Sequence, residues 1–170
     1  PWTTIRMAKT ARKQGMPGVA LLLLNKAVEE RAMNVSDAFL KLREQILAYN
    51  NPESEPERHG GLNWINTTNL SFFDPIQKSE IFRLKAMFLT SLGGKSKANQ
   101  AYCHSVQICP THARAWDSWG GLCASLGAVA EKQVEQQAAT SNTTEETGKD
   151  QKVAAAKKIA QYLAQAMGCY

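Results

Sequence analysis

The densest group of metal-binding residue types in this sequence is the stretch CHSVQICPTH, which holds Cys103, His104, Cys109 and His112. Thiolates and imidazoles bind structural zinc, and zinc sites pair them at short spacings such as Cys-x2-Cys or His-x3-His. Here five residues separate the two cysteines and two separate Cys109 from His112, so neither spacing matches. We therefore expect no metal site, with cysteines on core positions and histidines on the surface.

Two other patterns resemble parts of catalytic or phosphate-binding sites. A nucleophilic cysteine needs a neighbouring base, which His112 could supply to Cys123, but Cys123 falls on a helical core position. The string Gly93-Gly94-Lys95-Ser96 lacks the earlier glycine and the preceding strand of a phosphate-binding loop, so it predicts a helix–turn–helix corner. No other catalytic motif occurs. The sequence predicts no catalytic, cofactor-binding or metal-binding residue, and hence no enzyme.

Length and composition allow one compact domain, or about four to five helical hairpins, with a sizeable core. Of 170 residues, 44% are hydrophobic and 21% charged, and the net charge of +5 is spread along the chain, so we expect no direct nucleic-acid binding. The longest apolar run, Val19 to Leu24, is far shorter than the roughly 20 residues of a membrane-spanning helix, and no signal peptide is apparent. Without a sign of secretion, the cysteines are expected to be reduced in the cytosol or nucleus. The first residue is Pro1, and we interpret the chain as part of a longer protein.

Apolar residues recur at helical spacing along most of the chain, and no stretch alternates as a strand would. Ser36 is a candidate N-cap, and Asp74-Pro75 is a strong helix start. Residues 51–62 (NPESEPERHGGL) predict an exposed loop, and 63–73 could be a short helix or an extended segment. Residues 129–150 are polar; the first half of this stretch is compatible with a helix, and about 140–150 predict a mobile insert. Helices are expected over about 2–14, 19–31, 36–49, 74–92, 96–109, 112 to at least 126, and 151–167.

The informative feature is a repeat of 34 residues, the period of tetratricopeptide units. Phe82 is followed by Ala86 and Leu89, and Trp116 is followed by Gly120 and Cys123. The second helix of the first unit continues the pattern with Ala98, Tyr102, Ser105 and a closing Pro110. Small residues let antiparallel helices approach, and we expect Phe82 and Trp116 to be equivalent core anchors. The predicted fold is all-α, with tetratricopeptide-like helical hairpins at about 2–50 and 75–128 forming an α-solenoid segment.

The phrases AFLKLREQ and AAAKKIAQYLAQAM, and the run from Lys78 to Gly120 with KAMFL, VQI and AW–WG in order, resemble a FAT domain of the phosphatidylinositol-3-kinase-related family. The resemblance covers residues 2–128 and 153–170 and is strongest to the branch whose kinase-like domain lacks catalytic residues. It implies a FAT-domain fragment over 1–170 from a nuclear scaffold of histone acetyltransferase coactivator complexes. It also implies contacts with the parent's kinase-like domain and neighbouring repeats, with complex subunits and with transcription activators.

Two other interpretations remain open at this point. The chain could be a FAT segment of an active Ser/Thr kinase of the same family, which an intact catalytic motif pair in the downstream sequence would reveal. It could also be an unrelated tetratricopeptide adaptor, which would line a peptide groove with Lys, Asn and Arg in a repeating register. Arg83, Lys85 and Arg114 are the candidates for such a lining, and they do not repeat.

Overall fold

The computed structural model describes residues 2–29, 33–50 and 54–140, and the single positions 157, 160, 161, 164 and 168. Within these ranges the regular structure is helical: α1 (Trp2–Lys13), α2 (Pro17–Glu29), α3 (Val35–Tyr49), α4 (Glu55–Thr67), α5 (Pro75–Ser91), α6 (Lys95–Ile108) and α7 (Ala113–Thr140). The chain divides into two compact units, Pro1–His112 and Ala113–Tyr170. The first unit holds α1 to α6 and the second holds α7. No helix in the described ranges is both long and apolar enough to cross a membrane.

Local sequence signals set the ends of several helices as predicted. Asp74 and Gln77 form a capping box in which each side chain accepts the other residue's backbone N–H, and Pro75 opens α5. At the other end of α5, Gly93 has φ of +77°, and the N–H of Gly94 donates to the carbonyl of Leu89 at 2.8 Å. This is the left-handed closure for which glycine is favoured. At α3 the prediction was wrong, because Asn34 is the N-cap rather than Ser36.

The predicted loop over 51–62 is wrong for its last eight residues, because α4 begins at Glu55 and runs to Thr67. Ser54 caps it, and Pro56 lies in its first turn, where proline is tolerated. The adjacent Gly60 and Gly61 are helical, and Gly61 is buried. The undecided segment 63–73 divides into the end of α4 and a turn before α5. Residues 51–53 lie outside the described residues.

In the first unit each helix packs on the next one in the chain. In addition, α1 and α5 each pack on α3, which is two helices away in the chain. Contacts between nearest and next-nearest helices are typical of stacked helical hairpins. Two clusters of buried side chains fill the layers. One joins α1, α2 and α3 through Ile5, Ala8, Ala11, Ala20, Leu24 and Ala48; the other joins α3, α4 and α5 through Leu42, Ile46, Ile65, Ile81, Leu84 and Phe88. Because α3 contributes to both clusters, it holds the two hairpins together.

The 34-residue repeat reappears in the burial of equivalent positions on α5 and α7. Ala86 and Gly120 are both buried, as are Leu89 and Cys123. Phe82 and Trp116 are also alike, but both are only half-buried, so the expected core anchors are wrong. On α5 the fully buried aromatic is Phe88. The fold class is confirmed: the protein is all-α, with tetratricopeptide-like hairpins of an α-solenoid segment.

Two expectations concern the C-terminal part of the chain. The helix predicted from about residue 112 to at least Leu126 is α7, which continues through the polar residues as far as Thr140. The insert expected at about 140–150 lies outside the described residues beyond Thr140. Of the helix expected over 151–167, the positions described within that span, 157, 160, 161 and 164, are helical.

Candidate functional site: a buried charge network and an adjacent groove

Five charged side chains bridge α1, α3 and α5 in the first unit. Arg12 on α1 donates through Nε and Nη2 to Oε2 of Glu44 on α3, at 3.0 and 2.8 Å. The other oxygen of Glu44 accepts from Nη1 of Arg43 at 2.9 Å. Arg43 then turns its Nε toward Oε1 of Glu80 on α5, at 3.1 Å. The chain of ion pairs therefore runs from α1 through α3 to α5.

Glu80 is the hub of this arrangement. Besides Arg43, it accepts two hydrogen bonds from Arg83, from Nε to Oε2 at 2.7 Å and from Nη2 to Oε1 at 2.9 Å. The ring nitrogen Nε2 of His112 lies 3.4 Å from Oε2. The bidentate pair of Arg83 and Glu80 fixes both the distance between the guanidinium and the carboxylate and their common plane. Glu80 thus joins α3, α5 and the turn after α6.

Ser79 and Ser105 extend the contacts to α6. The hydroxyl of Ser105 donates to the carbonyl of Ser79 at 2.7 Å, and the two hydroxyls lie 3.0 Å apart. Oγ of Ser79 lies 2.8 Å from Nδ1 of His112. His112 therefore contacts Ser79 through one ring nitrogen and Glu80 through the other. We call Arg12, Arg43, Glu44, Ser79, Glu80, Arg83, Ser105 and His112 the charge network.

Ser79, His112 and Glu80 have the connectivity of a hydrolytic triad, in which a base takes the serine proton and a carboxylate orients the base. Access decides against that chemistry. Ser79 has 0% of its surface exposed, and His112 has 8%. The hydroxyl of Ser79 already lies between His112 and Ser105, which leaves no room for a substrate carbonyl. The three residues therefore tie helices together.

Burial and pairing act in opposite directions on the hub. Burial alone would raise the pKa of Glu80, but hydrogen bonds and charge from Arg83 and then Arg43 outweigh it and hold the pKa below its usual value. The hydrogen bond with Glu80 in turn raises the pKa of Arg83. Both groups are therefore ionised at neutral pH. Removing one partner would leave a buried charge uncompensated, so the pairs specify one register of α1, α3 and α5.

A groove lies beside the network, between α4, α5 and α6, with a volume of about 460 Å³. Phe82 and Leu89 from α5 and Ala101 from α6 supply apolar surface. Lys85 and Lys97 supply two ammonium groups, and Lys85 Nζ lies 5.8 Å from the centroid of the Phe82 ring. Below we call this the α4–α6 groove.

The four residues first considered as metal ligands do not converge. Cys109 and His112 are buried, Cys103 is half-buried and His104 is exposed. The expected surface position of His112 is wrong, because the residue binds Ser79 and Glu80 instead. Sγ of Cys109 lies 3.4 Å from Oγ1 of Thr111. In the described ranges no three His, Cys, Asp or Glu side chains are placed to share a metal ion.

Sequence reasoning missed the charge network altogether. Glu44 lies on the helix predicted over about 36–49, and it is 3% exposed, as deeply buried as the apolar Leu42 at 6% on the same helix. The available signal was the spacing of Glu80 and Arg83, three apart on one helix, which favours an ion pair. That spacing cannot reveal burial, or the partners 32 to 37 residues away.

Comparison with known proteins agrees with this architecture. The model of the FAT domain family matches residues 2–170. A subunit of the SAGA complex/NuA4 acetyltransferase complex from Saccharomyces cerevisiae is 40% identical over 119 residues, covering 70% of this chain. Its Schizosaccharomyces pombe counterpart is 40% identical over 120 residues, and the human transformation/transcription domain-associated protein is 34% identical over 119. These matches cover 70% and 68% of this chain, respectively, and the chain spans 3% of the length of each of the three relatives.

Proposed function

Because this chain belongs to the FAT domain family, we propose that it is a non-catalytic scaffold segment of a large transcription coactivator in histone acetyltransferase complexes. In this proposal the parent's kinase-like domain lacks catalytic residues, and the chain works in the nucleus. Its contacts are the kinase-like domain, neighbouring repeats, subunits of the complex and transcription activators. The relatives named as subunits of acetyltransferase complexes support the assignment.

The observation that carries the proposal is the charge network. Its eight members tie together α1, α3, α5 and α6, and the one grouping with catalytic connectivity has its serine fully buried. Side chains that are hydrogen-bonded to one another in this way hold the helices in register, and their polar atoms are not available to bind a substrate. A protein that must present fixed surfaces to partners needs such a register.

An active kinase parent is the second candidate, because FAT domains occur throughout the phosphatidylinositol-3-kinase-related family. The chain would still be a scaffold in that case. The downstream kinase-like sequence separates the two: an intact pair of catalytic-loop and metal-binding motifs would favour the kinase.

The direct test is to place an affinity tag on the parent protein and purify it from nuclear extract. We expect acetyltransferase subunits in stoichiometric amounts, together with activity on histone tails and no phosphotransfer by the parent. The matched variant replaces Glu80 with Gln, and should retain less of the complex at elevated temperature than Glu55→Gln does. Absence of acetyltransferase subunits from the purified wild-type assembly would contradict the proposal.

A further inference from the structure

The α4–α6 groove combines two features that the charge network does not use: apolar surface that remains accessible, and unneutralised positive charge. Phe82 is only half-buried, although it lies at a position where the repeat pattern calls for a core aromatic. Pockets of about 300–1,000 Å³ are of the size that binds a few side chains of a ligand, and the groove's 460 Å³ is in this range. Such a groove can receive one or two large apolar side chains.

The charge of the groove selects the occupant. Lys85 on α5 and Lys97 on α6 contribute positive charge from two helices, and its lining includes no Asp or Glu. Within the described part of the chain, neither ammonium forms a salt bridge with a carboxylate. Arg83, by contrast, is committed to Glu80 at 2.7 Å, so its charge is compensated inside the network.

We propose that the α4–α6 groove binds a short acidic segment of a partner protein, with an apolar side chain on Phe82 and flanking carboxylates on Lys85 and Lys97. The inference deepens the proposed scaffold function and rests on it. Complementary charge at the rim sets specificity and association rate, whereas a buried apolar anchor supplies most of the affinity. A nucleic-acid strand fits less well, since two lysines across an apolar floor do not form the continuous basic stripe that tracks phosphates.

Gln100 offers a local probe because it is exposed and lines the groove. A photoreactive benzoylphenylalanine is placed at Gln100 in the full parent protein, and the purified assembly is irradiated and analysed by mass spectrometry. Gln107, also exposed on α6 but outside the groove lining, is the matched control position. We expect a cross-link from position 100 to an acidic segment of another subunit, and none to that segment from position 107.

Charge reversal tests the role of the two lysines. In Lys85→Glu with Lys97→Glu we expect the cross-link yield to fall about tenfold, since the variant places like charges against the bound carboxylates. Lys78→Glu with Lys95→Glu makes the same change of charge on the same two helices outside the groove, and should leave the yield unchanged. Matching limited-proteolysis patterns of the two double variants in the full parent protein separate a lost contact from a lost fold. Excess synthetic peptide of about 12 residues, Asp- and Glu-rich around a Leu-Phe pair, should compete, whereas its Lys-rich counterpart should not.

Several results would overturn the inference. These are a cross-link to the parent's own chain, a cross-link to nucleic acid, no cross-link at position 100, or a yield insensitive to the lysine reversal. If acetyltransferase subunits still purify with the parent in these cases, the scaffold function stands and only the groove assignment fails. If they are absent from the wild-type assembly, the scaffold function itself fails.

Discussion

Adjacent glycines in α4 provide a sharp test of the packing, because the same substitution should have opposite effects at the two positions. A Cβ added at Gly60 meets nothing within 4 Å. A Cβ added at Gly61 would lie 2.7 Å from both Cε1 of Phe88 and Cβ of Tyr49. Gly61 therefore lies where α4 packs tightly against both α3 and α5.

The expected magnitudes follow from helix propensity and from overpacking. Alanine is favoured over glycine inside a helix by about 1 kcal/mol, so Gly60→Ala should raise the free energy of unfolding by about 0.5–1 kcal/mol. At Gly61 the same gain is opposed by a contact about 1 Å too short, and overpacking costs typically about 1–3 kcal/mol. Phe88 is fully buried and Cβ of Tyr49 is fixed to the backbone, so neither can move away easily. We expect the two variants to differ by about 1–3 kcal/mol, with Gly61→Ala the less stable.

Urea unfolding of the 170-residue chain, followed by far-UV circular dichroism, measures both variants under one protocol. Equal midpoints of denaturation would refute the close packing of α4, because a surface loop at this position would treat the two glycines alike. A greater stability of Gly61→Ala than of Gly60→Ala would refute it more strongly.

Four further outcomes are expected. Glu80→Gln leaves Arg43 and Arg83 without their carboxylate and should lower the free energy of unfolding by about 3 kcal/mol. The control Glu55→Gln, at an exposed pair with His59, should change it by less than about 0.5 kcal/mol. Similar losses in the two variants would argue against a buried hub. The lowered pKa of Glu80 means that its contribution is fully present above the unfolded-state pKa and is lost as pH falls through the folded-state pKa. Denaturation midpoints should therefore fall on acidification below about pH 4 and fall less in Glu80→Gln, and parallel curves would contradict this. Ser105→Ala removes the hydrogen bond from the Ser105 hydroxyl to the Ser79 carbonyl and should lower the free energy of unfolding in urea by about 1 kcal/mol; an unchanged value would contradict this contact. Stoichiometric zinc should leave the melting temperature unchanged, and a rise of several degrees would revive a metal site in CHSVQICPTH.

The features predicted correctly from sequence depend on residues close together in the chain. The capping box at Asp74 and the glycine closure after α5 are such cases, since each is decided within a few residues. The 34-residue period is longer, but it is a repetition of local patterns. These signals were sufficient for the fold class and for the bounds of α5 and α6 to within about two residues.

The failures arise where distant contacts change the meaning of a residue. Glycine at position 61 indicated a turn, yet it serves as the small residue at a crossing, the role that Ala86 was correctly given on α5. His112 indicated a surface position, but its partners Ser79 and Glu80 lie 33 and 32 residues away and make burial tolerable. Phe82 indicated a core anchor, and its half-buried ring instead forms part of the groove.

Apolar residues supply most of the burial and buried ion pairs select the register, and together they explain how a stack of similar hairpins keeps one arrangement. Small and aliphatic side chains such as Ala8, Leu24 and Ile46 supply most of the burial, but such surfaces remain favourable after a helix slides or rotates slightly. A bidentate pair between an arginine and a buried carboxylate does not remain favourable after such a shift, because a displaced partner leaves a charge without compensation. Placing Glu44 and Glu80 between helices therefore penalises every register except one. That penalty is local to each layer, so it can fix the positions of exposed groups such as Lys97.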